Sequence, residues 1–341
     1  MNDRFLKACR REPVDCTPVW FMRQAGRYMQ EYQAVRSTHS ILDVCKTPEL
    51  AAQVTLQPID RFPLDAAIIF ADILLPLDPM GIPFSFEEGE GPVIHRPIRD
   101  REGIDRLRVT DGDELHYVYD AIQQARRALE GRVPLIGFAG APFTLASYAI
   151  EGGGSRNYVA TKQLMYGEPE SWHRLMDKLA RMVTGYLRRQ IKAGAQAIQV
   201  FDSWVGCLSP NDYAEYVLPH MQVLFEGLMG EGVPMIHFGT GTGALLGLMR
   251  KAGGDVIGVD WRMQLDEAWD RVGHDVAVQG NLDPVALFGP RHEIERRVED
   301  ILRRVGGRPG HIFNLGHGIL PNTPVESVAA AVDMVHTLSQ R

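Results

Sequence analysis

Residues 17–28 read Thr17-Pro18-Val19-Trp20-Phe21-Met22-Arg23-Gln24-Ala25-Gly26-Arg27-Tyr28, a short apolar run joined to a pair of arginines. The apolar part, 17–21, has the composition of a β-strand. If the second part is helical, Arg23 and Arg27 share one face; if it is a loop, Gly26 permits a tight turn or close approach to a ligand. Arginine binds carboxylate and phosphate through a planar donor fork. The stretch therefore indicates an anion-binding segment after a strand, with a solvated basic turn as the alternative.

Similar apolar runs recur along the chain, separated by longer stretches with helical periodicity. Runs that are apolar throughout are typical of parallel strands covered on both faces. The eight runs are 17–21, 66–70, 133–138, 195–201, 233–238, 255–259, 275–278 and 311–314.

Helix-start signals lie between the runs, where a capping side chain precedes a proline. These pairs are Thr47-Pro48, Ser209-Pro210, Asp283-Pro284 and Thr323-Pro324. Eight strands alternating with helices predict an α/β fold, a single (β/α)8 barrel. A doubly wound sheet is the competing arrangement, but no G-x-G-x-x-G follows the first run, which disfavours its dinucleotide-binding form.

One insertion interrupts this alternation after the second run. Residues 82–86 and 93–96 flank the acidic, glycine-containing sequence Glu87-Glu88-Gly89-Glu90-Gly91. This pattern predicts a β-hairpin projecting from the barrel. We find no linker and no longer repeat, so residues 1–341 are predicted to form one domain.

Composition excludes several classes of protein. The net charge of -7 and the pI near 5.9 argue against non-specific nucleic-acid binding. The N-terminus has no signal-peptide core, and no run of eighteen apolar residues predicts a membrane span. The four cysteines form no C-x-x-C pair and are interpreted as reduced thiols, which predicts a cytoplasmic protein. They are Cys9, Cys16, Cys45 and Cys207.

Polar and glycine residues follow each run, and in barrels of this kind the active site lies at those strand ends. Asp72 is favoured as functional, and so is His317, which lies between two glycines. Asp260 is interpreted as a helix cap rather than a functional residue. His237 is interpreted as a core histidine whose ring nitrogens have hydrogen-bond partners. The strand-end side chains are Arg23, Arg27, Asp72, Tyr148, Asp202, Ser203, His237, Asp260, Gln279, Asn281, Asn314 and His317.

Two kinds of chemistry are disfavoured by the same residues. No lysine directly follows a run, which argues against a Schiff base. Glu151-Gly152-Gly153-Gly154-Ser155 lacks the lysine of a phosphate loop and is interpreted as a mobile flap.

Several motifs together resemble one family. Residues 18–28 and Gly137-Phe138-Ala139-Gly140-Ala141-Pro142-Phe143-Thr144 resemble signatures of the uroporphyrinogen decarboxylases. The similarity continues, in order, through 56–58, 61–70, 151–155, 279–284 and 314–318.

The resemblance implies a (β/α)8 barrel that pairs as a homodimer. It also implies removal of the four acetate carboxyls of uroporphyrinogen III, giving coproporphyrinogen III in haem biosynthesis, with no metal or other cofactor. Catalytic roles would fall to Asp72, Arg23 and Arg27. The implied substrate-binding residues are Arg23, Gln24, Ala25, Gly26, Arg27, Asp72, Tyr148, Ser203 and His317. No role is assigned to Trp204 or to the loop 239–243.

The cofactor-free reaction has a physical rationale. Loss of carbon dioxide from an acetate needs an electron sink, and a pyrrole protonated at a ring carbon supplies one. A buried carboxylate at the pyrrole N–H groups would stabilise that cation, and Asp72 is the predicted carboxylate. Arg23 is a poor acid by its reference pKa. Substrate-bound arginine and a water held by His317 are both open as proton sources.

Three other functions are alternatives to decarboxylation. A zinc-dependent methyltransferase would want His-x-Cys, but His237 is followed by Phe238 and Gly239. A tetrapyrrole carrier would bind the substrate without releasing carbon dioxide. A sugar-phosphate barrel enzyme leaves the arginine pair unexplained.

Overall fold

The computed structural model describes residues 2–87 and 91–341 and shows an α/β fold built on a curled parallel sheet. Seven strands pair in the order β1-β4-β5-β6-β7-β8-β9, all parallel. The strands therefore lie side by side in the order in which they occur in the chain. A doubly wound sheet would instead show a reversal of strand order at its centre. The sheet strands are β1 (Ala67–Ile68), β4 (Leu135–Gly140), β5 (Ala197–Asp202), β6 (Met235–Gly239), β7 (Val256–Gly258), β8 (Ala277–Gln279) and β9 (His311–Ile312).

The first apolar run does not form a strand, although it lies between the two ends of the sheet. Val19 makes a single parallel bridge to Phe313, and the Phe313 N–H donates to the Pro18 carbonyl over 2.8 Å. On its other side, the Val19 carbonyl accepts from the Asp65 N–H over 2.8 Å. Pro18 has no N–H for a ladder, and the Val19 N–H donates to the Asp65 carboxylate instead. These contacts explain why one bridge replaces the predicted strand.

Two further strands, β2 (Phe84–Glu87) and β3 (Gly91–Ile94), pair antiparallel where the insertion was predicted. Residues 88–90 of the predicted turn lie outside the described residues. The Ile94 N–H donates to the Gly152 carbonyl over 2.8 Å. This bond attaches the two-stranded unit to the predicted flap at 151–155.

Helices cover the outside of the sheet. They are α1 (Arg4–Cys9), α2 (Gln30–Arg36), α3 (Ile41–Lys46), α4 (Pro48–Arg61), α5 (Leu77–Met80), α6 (Arg101–Asp105), α7 (His116–Ala128), α8 (Pro142–Glu151), α9 (Val159–Gly167), α10 (Pro169–Ala193), α11 (Pro210–Tyr216), α12 (Leu218–Leu228), α13 (Leu246–Ala252), α14 (Leu265–Val272), α15 (Arg291–Val305) and α16 (Val325–Leu338). Within the described ranges, no helix is long and apolar enough to cross a bilayer.

The predicted caps are confirmed at two of four positions. Ser209 accepts from the Asp212 N–H at the start of α11, and Asp283 accepts from the Val285 N–H. Thr47 makes no capping hydrogen bond. The prediction of Thr323 as a cap is wrong, because α16 begins after Pro324. The Thr323 hydroxyl instead donates to the Leu320 carbonyl.

Burial of the strands agrees with the apolar pattern. Every residue of β4 is buried, as expected for a parallel strand covered on both faces. The four cysteines are free thiols, and Cys9, Cys16 and Cys45 are buried.

Candidate active site

One cavity opens where the strands end. The space between its walls, including the mouth, is about 1060 Å³, at the upper end of the range for ligand pockets. Of the predicted site residues, seven line it: Arg23, Gln24, Ala25, Asp72, Tyr148, Ser203 and His317. The structure thus brings together side chains from distant parts of the sequence.

Aromatic side chains form much of the remaining wall. They were not predicted as site residues, although each ends an apolar run and that position was their signal. They are Phe70, Phe138, Phe201 and Phe238. Phe86 of β2 and Pro92 of β3 also line the cavity, so the two-stranded unit contributes to it. A flat, largely apolar ligand with charged substituents suits these walls.

The arginine segment is a series of turns, so the loop interpretation is confirmed over the helical one. The residue before Arg23 is held in place, because the Met22 N–H donates to the Asn314 side chain over 3.1 Å. Gln24 is buried, and its amide bonds the Phe21 N–H and the Ala66 carbonyl, both over 3.1 Å. Gln24 therefore holds the segment against the start of β1. Its side chain is already occupied by backbone partners.

Arg23 and Arg27 differ in their surroundings. Arg23 lines the cavity and has a left-handed backbone, with φ 59°. Both arginines are exposed, but Gly26 and Arg27 do not line the cavity. The spacing of four residues would place both guanidinium groups together only in a helix. In this conformation Arg23 is the arginine of the cavity wall.

Gly318 allows Arg23 to reach its position. A Cβ atom at residue 318 would lie 2.5 Å from Arg23 Cδ and 3.1 Å from Arg23 Cβ. We expect Gly318→Ala to displace the guanidinium group, and to raise the substrate KM about tenfold, the loss of roughly one charged hydrogen bond. Gly247→Ala is the matched control, because a Cβ there meets nothing within 4 Å. Steady-state kinetics on both variants checks the expectation, and equal KM values would contradict it.

Asp72 follows β1 and lines the cavity. Its Oδ1 accepts from the Leu74 N–H over 2.8 Å. Burial raises the pKa of Asp72 to about 6, although the Leu74 hydrogen bond and the Arg23 charge both act to lower it. A carboxyl group with this pKa in a cleft is a strong candidate for chemistry.

His317 is neutral at physiological pH. Burial, reinforced by the Arg23 charge, lowers the pKa of its imidazole to about 4. Its Nδ1 accepts from the Gly318 N–H over 2.7 Å, so the neutral ring carries its hydrogen on Nε2. His317 is therefore a hydrogen-bond donor at this site, since its imidazolium form is rare above pH 5.

Tyr148 and Ser203 supply hydroxyl groups to the same cavity. Tyr148 is on α8, and burial raises the pKa of its phenol. Ser203 follows β5, and its carbonyl accepts from Thr240 over 2.5 Å. Both side chains are protonated donors at neutral pH.

Two other strand-end side chains serve the structure. Asp260 does not cap α14, whose N-cap is Gln264. It accepts from the Gly241 N–H over 2.6 Å and from Arg262, which ties the loop 239–243 to β7. His237 is buried, but the prediction of a satisfied histidine is wrong, because neither ring nitrogen has a hydrogen-bond partner among the described residues, and Nε2 lies 3.9 Å from the Asp202 carboxylate.

The predicted flap is attached at several points. The Glu151 carboxylate accepts from both the N–H and the hydroxyl of Thr161, each over 2.8 Å.

In the described part of the chain, no three His, Cys, Asp or Glu side chains are grouped to hold a metal ion.

The chain is similar to known proteins over nearly its whole length. The family model for uroporphyrinogen decarboxylase (URO-D) matches residues 1–338. A uroporphyrinogen decarboxylase of Sorangium cellulosum is 62% identical over 339 residues, covering 99% of this chain and 97% of the relative. Another, of Carboxydothermus hydrogenoformans, is 59% identical over 340 residues, with 99% and 97% covered.

A solved structure shares the fold. A methyltransferase from Methanosarcina mazei superposes with a TM-score of 0.83 at 20% identity, covering 99% of this chain and 98% of its own. At this identity the likeness concerns the fold alone. The family model and the sequence relatives go further: the chain belongs to the uroporphyrinogen decarboxylase family.

Proposed function

We propose that this protein decarboxylates uroporphyrinogen III to coproporphyrinogen III in tetrapyrrole biosynthesis, removing the four acetate carboxyls. Its relatives carry the name of this activity. The observation that carries the proposal for the site is Asp72, the one carboxyl among the described residues that line the aromatic-walled cavity, beside Arg23. A polyanionic pyrrole macrocycle needs both a cation for its carboxylates and an anion for its ring.

Asp72 is the group that stabilises the reacting ring. A proton adds to the ring carbon next to the one that bears the acetate arm, and the resulting pyrrole cation places positive charge on the carbon that carries the arm. The C–C bond to the carboxylate then breaks, its electron pair neutralises the ring, and carbon dioxide leaves. A second proton converts the exocyclic methylene carbon to methyl, and the first proton leaves the ring carbon, so that the pyrrole is restored and one proton is consumed for each carbon dioxide released. Ionised Asp72, bonded to the pyrrole N–H groups, offsets the transient positive charge by a fixed anion in a site that largely excludes water.

The remaining polar groups bind carboxylates and deliver the proton. Arg23 holds a carboxylate inside the cavity, and Arg27 acts at its mouth. Tyr148 and Ser203 donate hydroxyl hydrogens. His317 holds a water at its Nε2–H, and this water passes the proton to the ring, since the imidazole itself is neutral above pH 5.

Residues 1–341 form one catalytic domain, a closed (β/α)8 barrel with a β-hairpin insertion. Val19 makes a parallel bridge to Phe313 and accepts a hydrogen bond from the Asp65 N–H. These contacts on both sides support the proposal that the first apolar run closes the barrel between the two ends of the sheet. The protein pairs as a homodimer, as the family resemblance implies. Its free thiols fit a reducing cytoplasm.

The direct test is anaerobic incubation with uroporphyrinogen III, followed by mass spectrometry of the porphyrinogen. We expect stepwise loss of four carboxyl groups and formation of coproporphyrinogen III, without added metal or coenzyme. Tight binding with no loss of carboxyl groups would instead identify a tetrapyrrole carrier and overturn the proposal.

A further inference from the structure

Asn314 follows β9 and is fully buried, and the proposed mechanism gives it no task. Its Oδ1 accepts two backbone hydrogen bonds, from the Met22 N–H over 3.1 Å and from the Leu315 N–H over 2.8 Å. Both partners are donors, so they identify this atom as the amide oxygen. Asn314 does not line the cavity. Any effect on a substrate therefore has to pass through a neighbour.

The two hydrogen bonds join two segments that supply side chains to the cavity. Met22 directly precedes Arg23, and Leu315 lies two residues before His317. The carbonyl of Met22 also accepts from the Ile319 N–H over 2.9 Å. Both backbone polar groups of Met22 are thus bonded to the ends of the loop 314–319, which carries His317.

Arg23 depends on support of this kind. Its backbone is left-handed, with φ 59°, a conformation that residues other than glycine adopt only where the surrounding structure holds them in it. On its other side, the Gln24 N–H donates to the Phe21 carbonyl over 3.0 Å. The Arg23 side chain packs on the loop 314–319, since a Cβ at Gly318 would lie 2.5 Å from Arg23 Cδ. The direction of the guanidinium group therefore depends on how this loop and Met22 are joined.

The oxygen is the part of the Asn314 side chain that makes these contacts. The buried Nδ2 has no hydrogen-bond partner among the described residues. Loss of the oxygen would leave the Met22 and Leu315 N–H groups without an acceptor inside the protein, which is unfavourable for buried groups.

We propose that Asn314 is a positioning residue for substrate binding: its Oδ1 joins the segment of Arg23 to the loop of His317 and so holds the Arg23 guanidinium at the cavity wall. That this guanidinium binds a substrate carboxylate rests on the proposed function. The hydrogen bonds of Asn314 do not depend on it.

A double-mutant cycle tests whether Asn314 acts through Arg23. Asn314→Ala removes the acceptor, and we expect KM for uroporphyrinogen III to rise about tenfold while kcat changes less than threefold. In the Arg23→Gln background, where no guanidinium is left to position, Asn314→Ala should change KM by about twofold or less. Equal rises of KM in the two backgrounds would overturn the proposal.

A control separates positioning from loss of stability. Val298→Ala removes buried methyl groups from α15 outside the cavity lining, and it should lower the denaturation midpoint without changing KM. If Asn314→Ala behaves in the same way, with an unchanged KM, its role is structural and the proposal is wrong. Asn314→Ser is the second variant should Asn314→Ala not fold, since its oxygen lies one bond nearer the backbone and does not reach Met22.

Hydrogen exchange followed by mass spectrometry tests the contact without turnover. In the variant, backbone amides in peptides covering 18–28 and 314–319 should exchange faster than in the wild type, and those of β4 should exchange at the wild-type rate. Unchanged exchange in 18–28 would refute the inference. A wild-type protein that fails to decarboxylate would contradict the proposed function instead, and the exchange result would still decide whether Asn314 joins the two segments.

Discussion

Asp72→Asn will lose about a thousandfold in kcat and yet be more stable than the wild type at pH 8. The kinetic loss follows because asparagine carries no charge to offset the pyrrole cation, and removal of one preorganised electrostatic group costs about 10²–10³ in rate. The side chains have the same shape, and the amide oxygen of the new asparagine can still accept from the Leu74 N–H. Stopped assays of product formation check the rate.

The gain in stability has a defined sign and pH range. The folded-state pKa of Asp72, about 6, lies above the ordinary aspartate value of 3.8. The folded protein therefore favours the neutral acid, a contribution that is complete below pH 4 and is lost as the pH rises through 6. At pH 8 the wild type retains a buried anion that Asp72→Asn lacks, worth about 1–2 kcal/mol after allowance for solvent in the cavity.

Chemical denaturation of both proteins at pH 4 and pH 8 measures this difference. The advantage of Asp72→Asn should be present at pH 8 and absent at pH 4. Near-normal turnover in the variant would show that no anion is needed at the ring. A loss of stability at pH 8 would show that the carboxylate is there to hold the fold.

Arg23→Gln is expected to lower kcat/KM about a hundredfold, because a charged hydrogen bond to carboxylate contributes roughly 1.5–3 kcal/mol. Arg27→Gln should cost tenfold or less, since Arg27, unlike Arg23, does not line the cavity. Steady-state kinetics with uroporphyrinogen III gives both values. Arg181→Gln, on the exposed surface of α10, is the matched control for loss of one positive charge.

The same variant should shift two titrations. Arg23 acts to lower the pKa of both Asp72 and His317, so its removal should raise both. The acidic limb of the pH profile should then move to higher pH in Arg23→Gln but not in Arg27→Gln. Equal losses in the two arginine variants, with no shift in either profile, would argue that the guanidinium groups act only as general surface charge.

The strand ends could be predicted from the sequence because apolar runs and the residues after them are local features. Seven of the eight runs contain sheet strands, and Asp72, Ser203 and His317 meet at one cavity. The remaining run, 17–21, is the first in the chain. Its prediction as a strand was wrong, although its length and composition match those of a strand. Its hydrogen bonds go to Asp65 and Phe313, which the run itself does not reveal.

Side-chain direction was harder to predict. The spacing of Arg23 and Arg27 fitted either a helix or a loop, and only the loop separates them. Gln24 stood among predicted ligand-binding residues, but its amide is used on backbone partners. Trp204 touches the cavity only through Tyr148, a contact between residues fifty-six positions apart. Such contacts depend on how helices pack on the sheet.

The central claim is that ionised Asp72 steadies a positively charged pyrrole, and the pH dependence of kcat/KM tests it most directly. From pH 5 to 8, the account predicts that kcat/KM rises through a single ionisation near pH 6 and then stays level. This limb should be absent from the residual activity of Asp72→Asn, in which the substrate carboxyls titrate unchanged. A wild-type profile that is flat, or one that falls as the pH rises through 6, would contradict the account.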